Sequence, residues 1–370
     1  MEMKRVMAGA VAVCLVCATA GTAADWGLKK GSPELKSAGP LAFGPDGILL
    51  VGDTQSATVF AIDTGDTSGE PSKVQLKIDN VGAKVAQLLG GSPQQVSIND
   101  LAVNPLSGNV YLSVSKGSGA DSSPALVRID AAGKLSELAL KNVGFLKATL
   151  PNPPADQAAG AGPRRQNRRA ESITDLAYTD GKVIVSGLSN DQSPSNVREI
   201  PFPFIGADPG TSVEIYHGAH GRVEDDAPVR TFVPFNIGGE PNLLAGFTCT
   251  PLVKFPLSSL IPGQKVRGTT VAELGNRNRP LDMIVYDKGG KDYLLLANSS
   301  RGVMKISTEN IEQQEAITQP IRGGGTAGQP YESIGQLQGV VQLDRLNDQQ
   351  AVVLVQTDDG SLNLRTVELP

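Results

Sequence analysis

The chain is poor in cysteine, and its cysteines are poorly placed for a disulfide framework. It contains three, and Cys14 and Cys17 lie in an N-terminal segment that we expect to be removed. Only Cys249 would remain, so the processed chain could close no internal disulfide bond. Stability must then come from a hydrophobic core. Phe247 and Leu252 beside Cys249 favour a buried, inert thiol over a reactive one.

Further apolar runs, an excess of positive charge and the common catalytic motifs are also missing. Beyond the N-terminal segment no stretch approaches the roughly 20 apolar residues of a membrane span, so we expect no membrane span in the mature chain. The formal net charge of −5 argues against a nucleic-acid partner. The chain has no nucleophile elbow, Walker loop, dinucleotide-binding glycine motif, HExxH or haem-attachment motif. These absences favour a non-catalytic protein over an enzyme.

The N-terminus has the order of a secretory signal peptide over residues 1–24. Lys4 and Arg5 precede an apolar run, and small residues follow it up to Ala23 and Ala24. We expect cleavage near Ala23 or Ala24 and a periplasmic or extracellular protein. A membrane anchor is the alternative reading, but the apolar run is shorter than a span.

Glycine is abundant, with 42 residues, and it accompanies an internal repeat. Six segments share one frame of a small or polar residue before an apolar pair, and they begin near Ser37, Ser97, Ser172, Asn242, Asp282 and Ser333. A turn and further β-rich stretches follow, as in the apolar residues 41–43, the turn 44–47 and the stretch 48–51. Four antiparallel strands per repeat is the pattern of a propeller blade. We therefore predict an all-β, six-bladed β-propeller of four-stranded antiparallel blades over residues 25–370, with a β-sandwich as the alternative.

The two ends of the repeat array predict how the ring closes. The last unit has room for only three strands, and we expect the N-terminal segment 26–35 to add the missing outer strand. In the first unit, the fourth strand is expected at residues 74–78. Closure in this way would leave no exposed sheet edge.

One insertion stands out between the second and third units. Residues 151–170 are rich in Pro, Ala and Gly and carry four arginines, Arg164, Arg165, Arg168 and Arg169. Such a composition predicts a flexible loop, because it buries too little apolar surface to offset its ordering entropy. The loop could be merely solvated, or it could be a dibasic processing site or a basic clamp for an anionic partner.

The repeat resembles the six-bladed propeller superfamily that includes TolB-like and gluconolactonase-like proteins, over nearly the whole mature chain. Residues 247–256 and 276–282 are similar to segments of secreted bacterial propellers of unassigned function. In gluconolactonase-like enzymes, acidic and amide residues from several blades hold a central divalent ion. The resemblance thus implies the fold, and it raises a metal-dependent hydrolase as an option. This chain departs from those enzymes at Gly39 and Pro40, where they carry a ligand glutamate.

The repeated frame also predicts a polar ring at one mouth of the central channel. It places five polar side chains where inner strands begin: Asp100, Asp175, Asn242, Asp282 and Gln336. Converging carboxylates and amides suit calcium, which takes six to eight oxygen ligands. The alternative is structural, because a polar residue at a strand entry often accepts hydrogen bonds from backbone N–H groups.

The chain has two histidines, His217 and His220, and they lie in one glycine-rich segment ahead of Glu224. Two imidazoles could bind zinc or copper, but two ligands are too few for a stable site. Cys249 would be an attractive third ligand. However, we expect the histidines between a third and a fourth strand and Cys249 at the end of a second strand, which would put them on opposite faces. A polar turn without metal is the alternative.

These features leave three functional hypotheses. The first is an exported, non-catalytic propeller that binds a small ligand, a cation or a partner protein at its channel face. The second is a divalent-metal-dependent hydrolase of the lactonase type with its metal, calcium being the first candidate, at the channel mouth. The third is transition-metal binding through the His217/His220 loop. The fold cannot choose among them, because propellers host unrelated functions.

Overall fold

The chain forms a ring of six antiparallel sheets in a computed structural model, which describes residues 26–117, 122–159, 166–249 and 251–370. The predicted all-β, six-bladed propeller with four-stranded blades is therefore confirmed. The predicted signal peptide, residues 1–24, lies outside the described residues. Within them the α-helical content is Val81–Leu88, and no described helix is long and apolar enough to cross a membrane.

Blades are numbered here by the order of their inner strands in the chain, and their strands run from the channel outwards. Blade 1 comprises Leu41–Phe43, Ile48–Asp53, Thr58–Asp63 and Val143–Thr149, with Lys29–Gly31 at its outer edge. Blade 2 comprises Val96–Val103, Val110–Lys116, Ser123–Ile129 and Leu135–Glu137. Blade 3 comprises Asp175–Thr179, Lys182–Leu188, Ser195–Pro201, Thr211–His217 and Arg222–Glu224, and Lys265–Arg267 pairs in parallel with its fourth strand.

Blade 4 comprises Thr231–Ile237, Glu240–Gly246, Pro251–Pro256, Thr269–Leu274 and the short Thr326–Gly328. Blade 5 comprises Pro280–Asp287, Asp292–Asn298, Gly302–Ser307 and Tyr331–Ser333. Blade 6 comprises Val340–Arg345, Gln350–Gln356, Leu362–Glu368 and Lys77–Ile78. Short 3₁₀ turns occur at Pro45–Gly47, Pro71–Lys73, Pro93–Gln95, Arg168–Glu171, Leu257–Ser259, Arg322–Gly324 and Gly335–Leu337.

The second strands of the blades are apolar on both faces because each blade is packed between two others. Every residue of Ile48–Asp53 is buried, and its side chains alternate between two cores. Ile48 and Leu50 belong to the core shared with blade 3, whereas Leu49 and Val51 belong to the core shared with blade 2. The hydrophobic core of this protein is thus a set of layers between blades rather than one central cluster.

The order of blades around the ring differs from their order in the chain. The inner strand of blade 2 lies between those of blades 1 and 6, and the inner strand of blade 3 lies between those of blades 1 and 4. The ring order is therefore 3, 4, 5, 6, 2, 1. Two exchanged outer strands produce this arrangement: Lys77–Ile78 crosses from blade 1 to the edge of blade 6, and Val143–Thr149 returns from blade 2 to blade 1.

The predicted closure by residues 26–35 is wrong in its detail. Lys29–Gly31 pairs with Val143–Thr149 at the outer edge of blade 1, and Trp26 Nε1 donates a hydrogen bond at 2.8 Å to Asp46 Oδ2 in the turn between the first two strands of that blade. The missing strand of the last blade comes instead from Lys77–Ile78, in the segment predicted as the fourth strand of the first unit. A pattern of short β-rich stretches predicts strands, but it carries no information on which sheet edge a strand joins.

Two predicted inner-strand starts are also misplaced. Asn242 lies in the second strand of blade 4, opposite Phe235 of the true inner strand. Gln336 lies in the 3₁₀ turn Gly335–Leu337 before the inner strand of blade 6. Both segments have the polar-then-apolar order that was used to predict the start of an inner strand. That order occurs at more than one strand start in a blade, so it does not identify the inner strand.

The described parts of the 151–170 insertion contain local structure. Ala158–Ala159 pairs with Gln166–Asn167, and the 3₁₀ turn Arg168–Glu171 leads into blade 3. The Arg169 guanidinium donates to the carbonyl oxygen of Pro154 at 2.6 Å. Arg164 and Arg165 lie outside the described residues, and the flexibility of the insertion stays a prediction.

Candidate metal centre and channel

Four of the aspartates that line the central channel tie neighbouring blades together. Three of them were predicted, Asp100, Asp175 and Asp282, and the fourth is Asp344. Each accepts a hydrogen bond from a backbone N–H of the next blade: Asp100 from Leu41, Asp175 from Phe232, Asp282 from Leu343 and Asp344 from Val103, at 2.7 to 2.8 Å. These carboxylates therefore fasten the inner strands around the ring.

The enclosed position of these carboxylates disfavours their charged form. Burial raises the pKa of Asp175 to about 7 and that of Asp344 to about 6, against the lowering effect of their backbone hydrogen bonds. Burial also raises the pKa of Asp100 and Asp282 well above the usual value, and repulsion from the other channel carboxylates adds to it.

The aspartates separate two cavities of the channel. The larger, of about 1230 Å³, opens where the inner strands begin and is lined by Asp100, Asp175 and Asp282 together with Arg230 and Arg279. The smaller, of about 670 Å³, lies beyond them and reaches Asp344. Asn242 and Gln336 line neither cavity.

The amide predicted at Gln336 is supplied by a different residue. Gln342 lines the larger cavity, and it follows a bulged residue in its strand, as Asp100 and Asp282 do. The three bulges place these side chains at equivalent positions. Sequence reasoning missed Gln342 and Asp344 because the repeat was aligned on the wrong segment of blade 6.

The two histidines and Cys249 meet in a second cluster outside the channel. One ligand atom from each of His217, His220 and Cys249 lies within 4.8 Å of the other two. The imidazole rings have centroids 3.9 Å apart. The prediction that Cys249 lies on the opposite face from the histidines is therefore wrong.

The number of strands in blade 3 explains the error. His217 is the last residue of the fourth strand, Thr211–His217, and His220 lies in the hairpin that leads to a fifth strand, Arg222–Glu224. Cys249 follows the second strand of blade 4, Glu240–Gly246. Second and fourth strands of an antiparallel blade run in the same direction, so they end on the same side of the ring.

One carboxylate orients both imidazoles. Glu224 Oε2 lies 2.7 Å from Nδ1 of His217, and Glu224 Oε1 lies 2.7 Å from Nδ1 of His220. Burial alone would raise the pKa of Glu224, but hydrogen bonds from His217, Arg222 and His220 outweigh it and lower the pKa to about 2. An ionised Glu224 can only accept hydrogen bonds. It therefore selects the tautomer with the proton on Nδ1 and leaves Nε2 of each ring as a free electron-pair donor.

The free nitrogen of His217 has no hydrogen-bond partner among the described residues. The His217 side chain is 3 % exposed, and its Nε2 is buried and unsatisfied. Burial lowers the pKa of His217, against the opposing effect of Glu224, so the ring is neutral near pH 7. A buried polar atom without a partner is costly in a folded protein, and a metal ion would satisfy this one.

A second carboxylate contacts the histidine loop, residues 217–221. Glu273, in the fourth strand of blade 4, is 1 % exposed and accepts a hydrogen bond from the backbone N–H of Gly218. Burial raises its pKa to about 7. Its other oxygen is also buried and has no partner among the described residues.

Cys249 is held in a strained backbone conformation by a neighbouring loop. Its φ is +65°, an uncommon value for a residue other than glycine, and its N–H donates to the Asn278 carbonyl at 2.7 Å. The side-chain oxygen of Asn278 accepts in turn from the Ser300 N–H at 3.1 Å. The structure thereby joins the two segments singled out in the sequence, 247–256 and 276–282. Strain of this kind is typical of functional sites.

No protein-family model and no curated protein sequence matches the chain. Solved structures that resemble it include the PQQ-bound form of an aldose sugar dehydrogenase from Streptomyces coelicolor, with 13 % identity, 92 % of this chain and 96 % of that chain covered, and a TM-score of 0.38. A putative glucose dehydrogenase from Thermus thermophilus has 14 % identity, 92 % and 99 % coverage, and a TM-score of 0.35. A Bacillus subtilis arabinanase has 15 % identity, 73 % and 94 % coverage, and a TM-score of 0.37. Similarity at this level assigns no activity, substrate or cofactor to the chain.

Proposed function

We propose that this protein is an exported metalloprotein that binds one transition-metal ion, zinc or copper, through His217, His220 and Cys249. The observation that carries the proposal is the buried, unpartnered Nε2 of His217 within a cluster whose ligand atoms lie within 4.8 Å of one another. Two imidazoles and a thiolate are the ligands that zinc and copper prefer.

The atoms around the cluster support metal binding. Glu224 occupies Nδ1 of both histidines, and metal-binding histidines typically donate their other N–H to a carboxylate in this way. Three protein ligands leave a coordination position open, as in catalytic zinc sites, whereas structural zinc sites usually have four ligands. The proposal therefore includes an exogenous ligand at the fourth position.

Metal analysis of the purified protein tests this proposal. Protein prepared without chelator should contain close to one equivalent of zinc or copper. His217→Ala and Cys249→Ser should each lose most of that metal, whereas Asp100→Asn in the channel should retain it. A copper-loaded sample should also show a thiolate-to-copper charge-transfer absorption that Cys249→Ser abolishes. Circular dichroism of each variant separates loss of metal from loss of fold.

The opposite pattern would overturn the proposal. If the wild-type protein contains no stoichiometric metal and takes up neither zinc nor copper on dialysis, the cluster is a polar turn. If Asp100→Asn loses the metal and the His217 and Cys249 variants keep it, the site is in the channel.

Ligand binding at the channel face is a second candidate, favoured by the larger cavity of about 1230 Å³. Its walls carry both arginines and carboxylates, which suits a polar ligand or a partner loop. The aspartates at its floor already accept backbone hydrogen bonds. Calcium binding there, and the lactonase-type hydrolase built on it, remain the hypotheses made from the sequence.

A further inference from the structure

A cavity of about 690 Å³ adjoins the histidine cluster. Its wall includes His220, and it is formed by three loops that meet at this point: the histidine loop, the loop of residues 276 and 277, and the segment 320–324. The cavity opens beside His220, whose side chain is 45 % exposed. The other proposed histidine ligand, His217, is only 3 % exposed. A molecule in this cavity would therefore approach the metal from the side of His220.

The three loops are held against one another. The Ile321 N–H donates to the Gly218 carbonyl at 2.9 Å, which fixes the segment 320–324 to the histidine loop. Gly324 packs so closely on Asn276 that a Cβ at residue 324 would clash with the Asn276 side-chain oxygen. Arg301 donates to the Asn276 carbonyl at 3.3 Å. The cavity is thus formed by fixed loops rather than by a chance gap between loose ones.

The charge of the cavity wall is positive. The described residues that line it include Arg277 and Arg322 and no aspartate or glutamate. Neither guanidinium makes a hydrogen bond or ion pair with another described residue. The nearby carboxylates are already engaged beneath the loop, Glu224 with the two histidines and Glu273 with Gly218. The protein as a whole carries a net charge of −5, so two arginines without a charged partner among the described residues make this surface locally positive.

The backbone of Arg277 adopts an unfavourable conformation. Its φ is +56°, where residues other than glycine are rarely found. The next residue, Asn278, accepts the hydrogen bond from the Cys249 N–H. The loop that contacts the Cys249 backbone therefore also carries Arg277 at the cavity wall.

From this arrangement we infer that the open position of the metal takes a small organic anion, a carboxylate or a phosphate ester, whose charge is bound by Arg277 and Arg322. The inference rests on the proposed metal site. Arginine binds carboxylate and phosphate groups through paired N–H donors, and a divalent metal with a single thiolate ligand adds a net positive charge beside them. Neutral molecules of the same size lack both attractions.

Calorimetric titration of the zinc-loaded, full-length mature protein tests the inference. The probes are succinate and inorganic phosphate, with succinamide as the neutral analogue of succinate. The wild-type protein should bind at least one of the two anions and bind succinamide at least ten times more weakly. The double variant Arg277→Gln/Arg322→Gln should retain its zinc and bind the anion at least ten times more weakly than wild type does. Binding of succinate alone or of phosphate alone distinguishes the two classes of anion.

Arg345→Gln is the matched control. Arg345 is also an exposed arginine, with 45 % exposure and an ion pair to Asp348. It lines the smaller channel cavity and not the cavity beside His220. Its removal should leave anion binding unchanged. Equal binding by wild type and the double variant, or weakening by Arg345→Gln alone, would overturn the inference.

Two further outcomes separate this inference from the proposed function. If the protein holds one zinc per chain and neither anion binds, the inference is wrong and the metal site stands. If chelator-treated protein binds the anion as tightly as zinc-loaded protein, the arginines act without the metal and the inference is wrong in placing the anion at the open position. Absence of stoichiometric metal would overturn the proposed function, and this inference with it.

Discussion

Glu224 controls both histidines of the proposed metal site through the two oxygens of one carboxylate. Each oxygen lies 2.7 Å from one Nδ1, and the side chain is largely buried, with 8 % exposure. The residue was noted in the sequence only as an acidic neighbour of the histidines. Its spacing from His220, four residues, was available as a signal, but the hairpin that brings His217 to the same carboxylate was not.

Replacing Glu224 by glutamine should weaken metal binding about 10- to 100-fold, the usual effect of losing a carboxylate that supports a metal-binding histidine. Glutamine has one oxygen acceptor, so its amide N–H₂ would face one of the two Nδ1–H groups. That histidine would change its tautomer and place a proton on Nε2, where the metal should bind. Competition with a chelator of known affinity measures the effect.

Glu214→Gln is the control for this measurement. Glu214 lies on the same strand as His217 and pairs with Lys265 and Arg267. It should change metal affinity less than twofold. Equal affinities in Glu224→Gln and wild type would show that the histidines bind without this carboxylate, or that they do not bind metal.

At the scale of elements, the two exchanged outer strands decide the order of the blades. Lys77–Ile78 is only two residues long, yet it supplies the fourth strand of blade 6 and takes the chain on towards blade 2. Ile78 is 5 % exposed and packs in the core between blades 2 and 6, together with Leu364. We therefore attribute the closing of the ring to burial of this side chain more than to the few hydrogen bonds of so short a strand.

Ile78→Ala should reduce the free energy of unfolding by about 2–5 kcal/mol, as is usual for truncating a buried isoleucine. Lys77→Ala, at the exposed neighbouring position, should change it by less than about 0.5 kcal/mol. Urea denaturation followed by circular dichroism measures both. A double-mutant cycle with Leu364→Ala should give a coupling of about 0.5–3 kcal/mol, because Leu364 and Ile78 are paired in register. Equal stability of the two single variants would contradict the closure described here.

At the scale of the whole molecule, the channel aspartates make stability depend on pH. Their pKa values are raised in the folded state, to about 7 for Asp175 and about 6 for Asp344, and are lower in the unfolded chain. At pH values between the pKa of the unfolded chain and that of the folded protein, the folded protein binds more protons than the unfolded one does. Their contribution to stability is therefore complete at low pH and is lost as the pH rises through 6 to 7. Glu273, with a pKa of about 7, contributes in the same direction.

The urea midpoint of the wild-type protein should accordingly fall between pH 5 and pH 8, measured with chelator present because metal binding has its own pH dependence. As the pH drops below about 4 the midpoint should fall as well, because the pKa of Glu224 is lowered to about 2 in the folded protein and the unfolded chain therefore takes up this proton at a higher pH. Asp175→Asn should show a shallower decline from pH 5 to pH 8 than wild type, whatever its absolute stability. A midpoint that is constant or rising over that range would mean that the channel carboxylates ionise normally.

Local composition was enough to predict the class of fold and some of the candidate residues. The periodic turns and apolar stretches predicted six four-stranded blades, because a strand that is buried on both faces is apolar along its length wherever it lies in the ring. The same repeat placed Asp100, Asp175 and Asp282 together at the channel. His217 and His220 were identified from residue type and proximity in sequence alone.

Only the tertiary structure decided which edges pair and which loops meet. Edge pairing joins Ile78 to Leu364, 286 residues later in the chain, and a two-residue strand carries no sequence signal for its partner. The histidines follow four strands of blade 3 and not the expected three, which places them on the face of Cys249 and reversed the prediction that these ligands lie apart. Backbone direction alternates from each strand of a blade to the next, so one unrecognised strand before a loop places that loop on the other side of the ring. The number of strands in a blade is set by tertiary pairing, and no local pattern of residue types reveals it.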